Sequence, residues 1–198
     1  NAITGVVGAW IESVPLIIIS GQVKRSDMMN DAPLRQNGVQ EVDIISMVKK
    51  ITKYAVTVKK PENIRSIMEQ AFYHASNGRK GPVWIDIPLD IQNASLNLES
   101  LKGWKQIPYN NIKAISNSQI ENLNQLITNS KRPILLAGHG VRLSGGADIF
   151  EEVVNKLEIP TIMTWNAMDL LPYDQPLNIG RPGVVALRAP NFAVQNSD

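Results

Sequence analysis

Three stretches hold the residue types from which a site can be built. "AGHGVRLSGG" (137–146) lies between an apolar run and an amphipathic segment, where a strand would hand over to a helix. Backbone N–H groups and a positive helix end can hold a phosphate at such a place. The spacing is not that of the dinucleotide fingerprint: Gly138 and Gly140 fit, but the third glycine would fall at Leu143. A tight turn whose glycines serve geometry and a ligand loop both stay open as readings. The second stretch is "GQVKRSDMMNDAPLRQNGVQEVD" (21–43), with Lys24, Arg25, Asp27, Asp31, Arg35, Gln40 and Glu41. It follows a buried strand, and ligands of open α/β sheets bind beyond the carboxyl ends of strands. Solvated loop charges are the plain alternative, with Gln40 as a helix-start residue. The third pattern, the two histidines, makes no pair. His74 sits one residue beyond the apolar stripe of a helix, where it reads as solvated, and His139 is a loop residue and candidate ligand contact. No Ser/His/Asp set, Walker motif or metal-ligand cluster is visible.

The elements that must position these residues alternate. Helical spacing of Ile3, Val6, Val7, Trp10, Ile11 and Val14 predicts a helix over 2–13 that needs a sheet to pack on. A strand over 15–20, a long loop over 21–36, a helix over 38–49 and a strand over 53–58 follow. Pro61 suits a first helical position, and Ile64, Ile67, Met68, Ala71, Phe72 and Ala75 form one stripe, so 61–76 reads as a helix. "GRKGPVWIDIPLDIQ" (78–92) then gives a helix stop at Gly78, a strand over 82–87 and an exit at Pro88. Residues 93–116 lose all period and read as a linker, pinned to the surface by Trp104 and Tyr109.

A second unit repeats the architecture without repeating the sequence. Ser118 and Glu121 have capping-box spacing, and Ile120, Leu123, Leu126 and Ile127 read as the buried face of the first helix. A strand over 133–137, a helix over 147–157 carrying Phe150, Val153, Val154 and Leu157 in register, and a strand over 160–164 complete the reading. Alternating strands and helices imply mainly parallel sheets covered on both faces, an α/β protein of three-layer units.

Composition narrows the function. The chain has 198 residues, 43% hydrophobic and 19% charged, with 20 basic against 18 acidic side chains and a formal charge of +2. Such a balance gives no electrostatic reason to expect nucleic acid or an anionic membrane as partner. The absence of cysteine removes disulfides, thiolate metal sites and a cysteine nucleophile, and fits a cytoplasmic setting. "VPLIIIS" is too short to span a bilayer. "NAITGVVGAWIESV" begins as the inside of a helix and "NFAVQNSD" stops where a helix would give way to a strand, so the chain reads as an internal piece of a longer protein.

Several stretches together resemble the acetolactate synthase branch of thiamine diphosphate-dependent enzymes. They are "NAITGVVGAWIESVPLIIISGQV", "VQEVDIISMVKKITKYAVTV", "ASNGRKGPVWIDIPLDIQ", "KRPILLAGHGV" and "EIPTIMTWNAMDLLPYDQPLNIGRPGVVALRAPNFAVQNSD". The resemblance implies part of a pyrimidine-binding domain over 1–92, a linker over 93–116 and part of a Rossmann-like central domain over 117–198. It implies decarboxylation of a 2-keto acid with carboligation to a second carbonyl compound, as in branched-chain amino acid biosynthesis. It also implies thiamine diphosphate with Mg2+, FAD in the flavin-containing members, and a homodimer or homotetramer. A decarboxylase-only or sugar-pathway relative, or a non-catalytic nucleotide-binding module, are the alternative readings.

By the same resemblance Asn1 ends a turn near the cofactor, Gln40 lies beside its pyrimidine and Lys53 stands near the substrate entrance. Arg79, with the turn Gly138, His139 and Gly140, matches residues beside FAD. Val39 stands where the family's Phe-Gln-Glu has phenylalanine, and His139 where a small residue is often found. The activating glutamate and the Gly-Asp-Gly metal segment would lie outside these residues. Incubated with pyruvate, thiamine diphosphate and magnesium, the 198-residue chain should therefore release no carbon dioxide above a blank. Clear turnover would show that it holds its own activating carboxylate and metal site.

Overall fold

A computed structural model describes residues 1–29, 33–106, 108 and 114–198. The chain divides into two compact units, Asn1–Ile112 and Lys113–Asp198. In the first, three strands pair in parallel in the order β1 (Leu16–Gln22), β3 (Pro82–Pro88), β2 (Tyr54–Thr57). Ile18 and Ala55 flank Trp84, and Ser20 and Thr57 flank Asp86. Because side chains alternate between faces, each of these sets lies on one side of the sheet.

The other side is closed by α3 (Ile64–Ser76), whose Ile67, Ala71 and Ala75 pack on Val83 and Ile85. On the Trp84 side, α1 (Ala2–Ile11) contributes Val6 and α2 (Ile44–Val48) contributes Val48. The helix predicted from residue 2 thus finds its sheet, through Val6, while Trp10, Ile11 and Val14 stay partly exposed. Gly78 follows α3 with φ of 63°, a backbone that glycine adopts at little cost.

The helix predicted over 38–49 is shorter than its apolar spacing suggests. Only Ile44–Val48 is α-helical, because Asp43 caps it by accepting the Ser46 N–H at 3.1 Å. Residues 38–43 are not helical, with a turn at 39–40, and Gln40 has φ of 62°. The segment expected as a linker over 93–116 is not featureless: after α4 (Leu89–Gln92), which follows β3, Leu98–Ser100 form a 3-10 turn, and Trp104 packs edge-on against Tyr73 at 5.0 Å. Tyr109 lies outside the described residues.

In the second unit β4 (Leu135–Ala137), β5 (Thr161–Met163) and β6 (Asn178–Gly180) pair in parallel in that order. Phe150 and Val154 of α7 (Ala147–Leu157) pack with Ala137, Met163 and Leu171, whereas Val153 and Leu157 are partly exposed. The short α6 (Gly140–Leu143) precedes α7, and α8 (Arg188–Asn196) lies against β6. Asp198 accepts from the Lys131 and Arg132 N–H groups and the Ser130 hydroxyl, which hold its carboxyl down at about 2, the Ser130 bond chief among them.

The capping box of α5 (Asn117–Asn129) is made by Ser116 and Gln119, not Ser118 and Glu121. The Ser116 hydroxyl accepts the Gln119 N–H and the Gln119 side chain accepts the Ser116 N–H, two residues upstream of the predicted pair. Its predicted core face is also exposed, at 47% for Ile120, 55% for Leu123 and 63% for Leu126. Burial then separates two apolar truncations. Ile85→Ala, at a fully buried position, should cost about 2–5 kcal/mol, and Leu123→Ala under ~1 kcal/mol. Urea unfolding of both variants checks this, and a cost above ~2 kcal/mol at Leu123 would mean that the α5 face is covered.

Candidate functional site

Beyond the carboxyl ends of β1 and β3 the strand faces turn polar. Going up the sheet, Ile18, Trp84 and Ala55 give way to Ser20, Asp86 and Thr57, and then to Gln22. Asp86 is 1% exposed, yet no cation forms an ion pair with it among the described residues. Three side chains donate to it instead: Ser20 Oγ to Oδ1 at 2.6 Å, Gln22 Nε2 to Oδ2 at 3.2 Å and Thr57 Oγ1 to Oδ2 at 3.4 Å. Trp84 Nε1–H donates to Ser20 Oγ at 2.7 Å, which leaves the serine proton for the aspartate. Burial pushes the Asp86 carboxyl above its ordinary range although the three donors pull it down.

Over this polar end lies a cleft of about 300 Å³ lined by Asn1, Gln40, Ser20, Gln22 and Asp86 on its polar side, and Ile3, Ile44 and Trp84 on its apolar side. Asn1 and Gln40, far apart in sequence, are thereby brought into one cleft. Gln22 sits between sheet and loop: its Nε2 also donates to Val42 O at 2.9 Å, and its Oε1 accepts the Val23 N–H at 2.9 Å.

Glu41, expected among solvated loop charges, is buried. It accepts the N–H groups of Met29 (2.5 Å), Asn37 (3.0 Å) and Gly38 (3.1 Å), which, Met29 first, hold its carboxyl below the ordinary range. Gln40 beside it pays about 1–2 kcal/mol for its left-handed backbone. Arg25 pairs with Asp90 at 2.6 Å, both partly exposed. Asp31 lies outside the described residues.

Lys53 and Arg79 meet in a different cleft, also about 300 Å³, with Trp10, Ile11 and Lys80. Lys53 Nζ donates to Asn77 O at 2.6 Å and burial lowers its pKa, while Arg79 Nε donates to Ser13 Oγ at 2.8 Å. His74 is not solvated as its place beside the stripe suggested. It stacks on Tyr54 at 5.2 Å and lies 6.2 Å from Trp104, and burial, followed by the Lys53 charge, lowers its pKa.

In the second unit the turn at Gly138 to Gly140 follows β4 and starts α6. Neither glycine is forced by geometry: the left-handed glycines there are Gly145, Gly180 and Gly183. A Cβ at Gly138 would make only an ordinary contact with Thr164 Oγ1 at 3.7 Å, and one at Gly140 would meet nothing within 4 Å. His139 Nδ1 is buried, and no described residue forms a hydrogen bond with it.

Sequence reasoning missed Asp86, Ser20 and Gln22. One signal was available, a carboxylate inside the otherwise apolar "PVWIDIP". Among the described residues no cluster of three His, Asp or Glu could hold a metal ion, and no helix is long and apolar enough to cross a membrane.

Comparison with known proteins agrees with the fold. Residues 120–198 match the family "Thiamine pyrophosphate enzyme, central domain". All of the chain aligns with the acetolactate synthase large subunit of Lactococcus lactis at 32% identity. It also aligns in full with a probable acetolactate synthase large subunit of Methanocaldococcus jannaschii at 34% and the isozyme 1 large subunit of Escherichia coli at 35%. It spans about a third of each, at 33%, 33% and 34% of their lengths. The chain is thus similar over residues 120–198 to the thiamine pyrophosphate enzyme central domain, and throughout to about a third of acetolactate synthase large subunits.

Proposed function

We propose that the chain forms part of a thiamine diphosphate-dependent enzyme that decarboxylates a 2-keto acid and joins the product to a second carbonyl compound, a transferase or lyase activity of the acetolactate synthase kind. The observation that carries this reading is the convergence of Asn1 and Gln40 on one cleft, in a chain aligned end to end with acetolactate synthase large subunits. Thiamine diphosphate, when bound with Mg2+, supplies the carbon nucleophile of that reaction. Residues 1–92 then serve as the pyrimidine-binding domain, ahead of a linker over 93–116 and the central domain over 117–198.

The cleft suits an aminopyrimidine. Asn1 and Gln40 are among its lining residues, no hydrogen bond within the described residues engages the side-chain amide of either, and Ile3, Ile44 and Trp84 offer apolar surface for a flat ring. Strain at Gln40 supports the same reading, since backbone held in a rare conformation is common at ligand clamps. Assembly as a homodimer or homotetramer in the cytoplasm belongs to this proposal. Partly exposed Trp10, Ile11, Val14 and Met47 on and near α1 and α2 support it as surface for a second copy. FAD, held by Arg79 and the turn of Gly138, His139 and Gly140, is the flavin-containing form of the reading. It is supported by glycines at 138 and 140 that the local backbone does not require.

Gln40→Ala should weaken thiamine diphosphate binding about fivefold, the loss of one hydrogen bond of ~1 kcal/mol. Arg25→Ala, at a solvent-screened ion pair, should leave it unchanged. Titration of the cofactor into both variants decides, and equal affinities would remove Gln40 from the site. For the flavin, the purified protein should absorb in the flavin bands and lose that absorbance on Arg79→Ala. A colourless protein that takes up no added FAD would leave Arg79 with its Ser13 bond alone.

A further inference from the structure

The geometry points to Asp86 as a positioning residue for the loop that presents Gln40, acting through the side-chain amide of Gln22. Gln22 uses every atom of that amide: Nε2 donates to Asp86 Oδ2 and to Val42 O, and Oε1 accepts the Val23 N–H. Glu41 braces the same loop, but its three partners, Met29, Asn37 and Gly38, all belong to the loop. The bond from Gln22 to Val42, two residues past Gln40, ties that end of the loop to the sheet.

Polarity is what the carboxylate contributes. An ionised carboxylate only accepts, so the group of Gln22 turned toward β3 must be its nitrogen. The second N–H then reaches Val42, and the oxygen is left for Val23. An asparagine at 86 keeps an acceptor for Ser20 but sets an N–H against that of Gln22, so one of the Gln22 bonds is lost.

The charge is not retained for stability. Burial, the largest cause, raises the Asp86 carboxyl, and the nearby charge of Asp43 adds in the same direction. A folded pKa above the unfolded one gives stability that is full below the unfolded value, near 3.8, and is lost as pH rises through the folded value. Ionised Asp86 therefore costs folding free energy at neutral pH, where an apolar residue would not.

The link from Asp86 to the loop stands on geometry, and the link to a cofactor rests on the proposed function. Hydrogen–deuterium exchange of the amides of 37–41 in the full chain tests the first. Asp86→Asn should speed their exchange about tenfold, as for a lost hydrogen bond to a charged group, and Gln22→Ala, which removes the bond to Val42 outright, by at least that factor. The double variant should go no further. Thr57→Val, which removes another donor from the carboxylate without touching Gln22, should change nothing. Unaltered exchange in Asp86→Asn, or an equal rise in α3, would overturn the proposal. Should Asp86→Asn fail to fold, Gln22→Ala at its half-buried position decides by the same readout.

Thiamine diphosphate titration of the same variants should show a loss of affinity in both single variants, with the double no weaker than Gln22→Ala. A loosened loop with unchanged or absent thiamine diphosphate binding would overturn the placing of Gln40 at that cofactor while the positioning role stands. Cofactor binding with a loop that does not loosen would overturn the positioning role alone.

Discussion

The parallel register of β1 and β2 on the central strand β3 decides which side chains meet, and the first unit depends on it. Ile18, Trp84 and Ala55 lie level, as do Ser20, Asp86 and Thr57 one step further along the same face. A slip of one residue in β3 would turn Asp86 toward the α3 core and Val83 and Ile85 toward the cleft. Such a slip would bury a carboxylate among Ile67, Ala71 and Ala75, where no donor waits. Register is therefore fixed from both faces, by apolar burial under α3 and by hydrogen bonding under the loop.

Two carboxylates divide the work of holding that loop. Glu41 gathers three backbone N–H groups of the loop itself and lets a short, strained turn keep its shape without regular structure. Asp86 sits in the sheet, and among the described residues its carboxylate is bonded by side chains alone. The two differ in pKa direction for the same physical reason read from opposite ends. Backbone donors outweigh burial at Glu41, and burial outweighs side-chain donors at Asp86.

What the sequence makes legible is what depends on near neighbours. The helices near 64–76 and 147–157 follow from apolar spacing and end signals, and the strands between them from short apolar runs. The helix over 38–49 reads too long because Val39, Val42 and Ile45 keep a plausible spacing, while the capping bond of Asp43 and the backbone of Gln40 are local conformations that spacing does not record. His74 looks solvated from its own helix, since Tyr54 and Trp104, which enclose it, are distant in sequence. The apolar stripe of α5 is readable, but its burial is a property of a partner, and none covers it among the described residues. Asp86 escapes for the same reason. Its donors come from two other strands, and only the register brings them together.

The second unit shows that topology alone does not make the first unit's site. β4, β5 and β6 repeat parallel pairing, yet the position level with Met163 on β4 is Ala137, and among the described residues no buried carboxylate stands at these strand ends. Its charged groups lie outside the three strands instead, with Arg142 paired to Asp169 at 2.8 Å and Arg181 over the Trp165 ring at 4.6 Å. A turn of two glycines unconstrained by φ, with the buried Nδ1 of His139 between them, occupies the strand end. The same architecture thus presents backbone at one strand end and a side-chain network at the other. A backbone surface admits close approach by a ligand but fixes little about its orientation, whereas a hydrogen-bonded network under a strained loop fixes orientation at a cost in stability. That contrast is the physical reason to look for the orienting contacts of the site in the first unit.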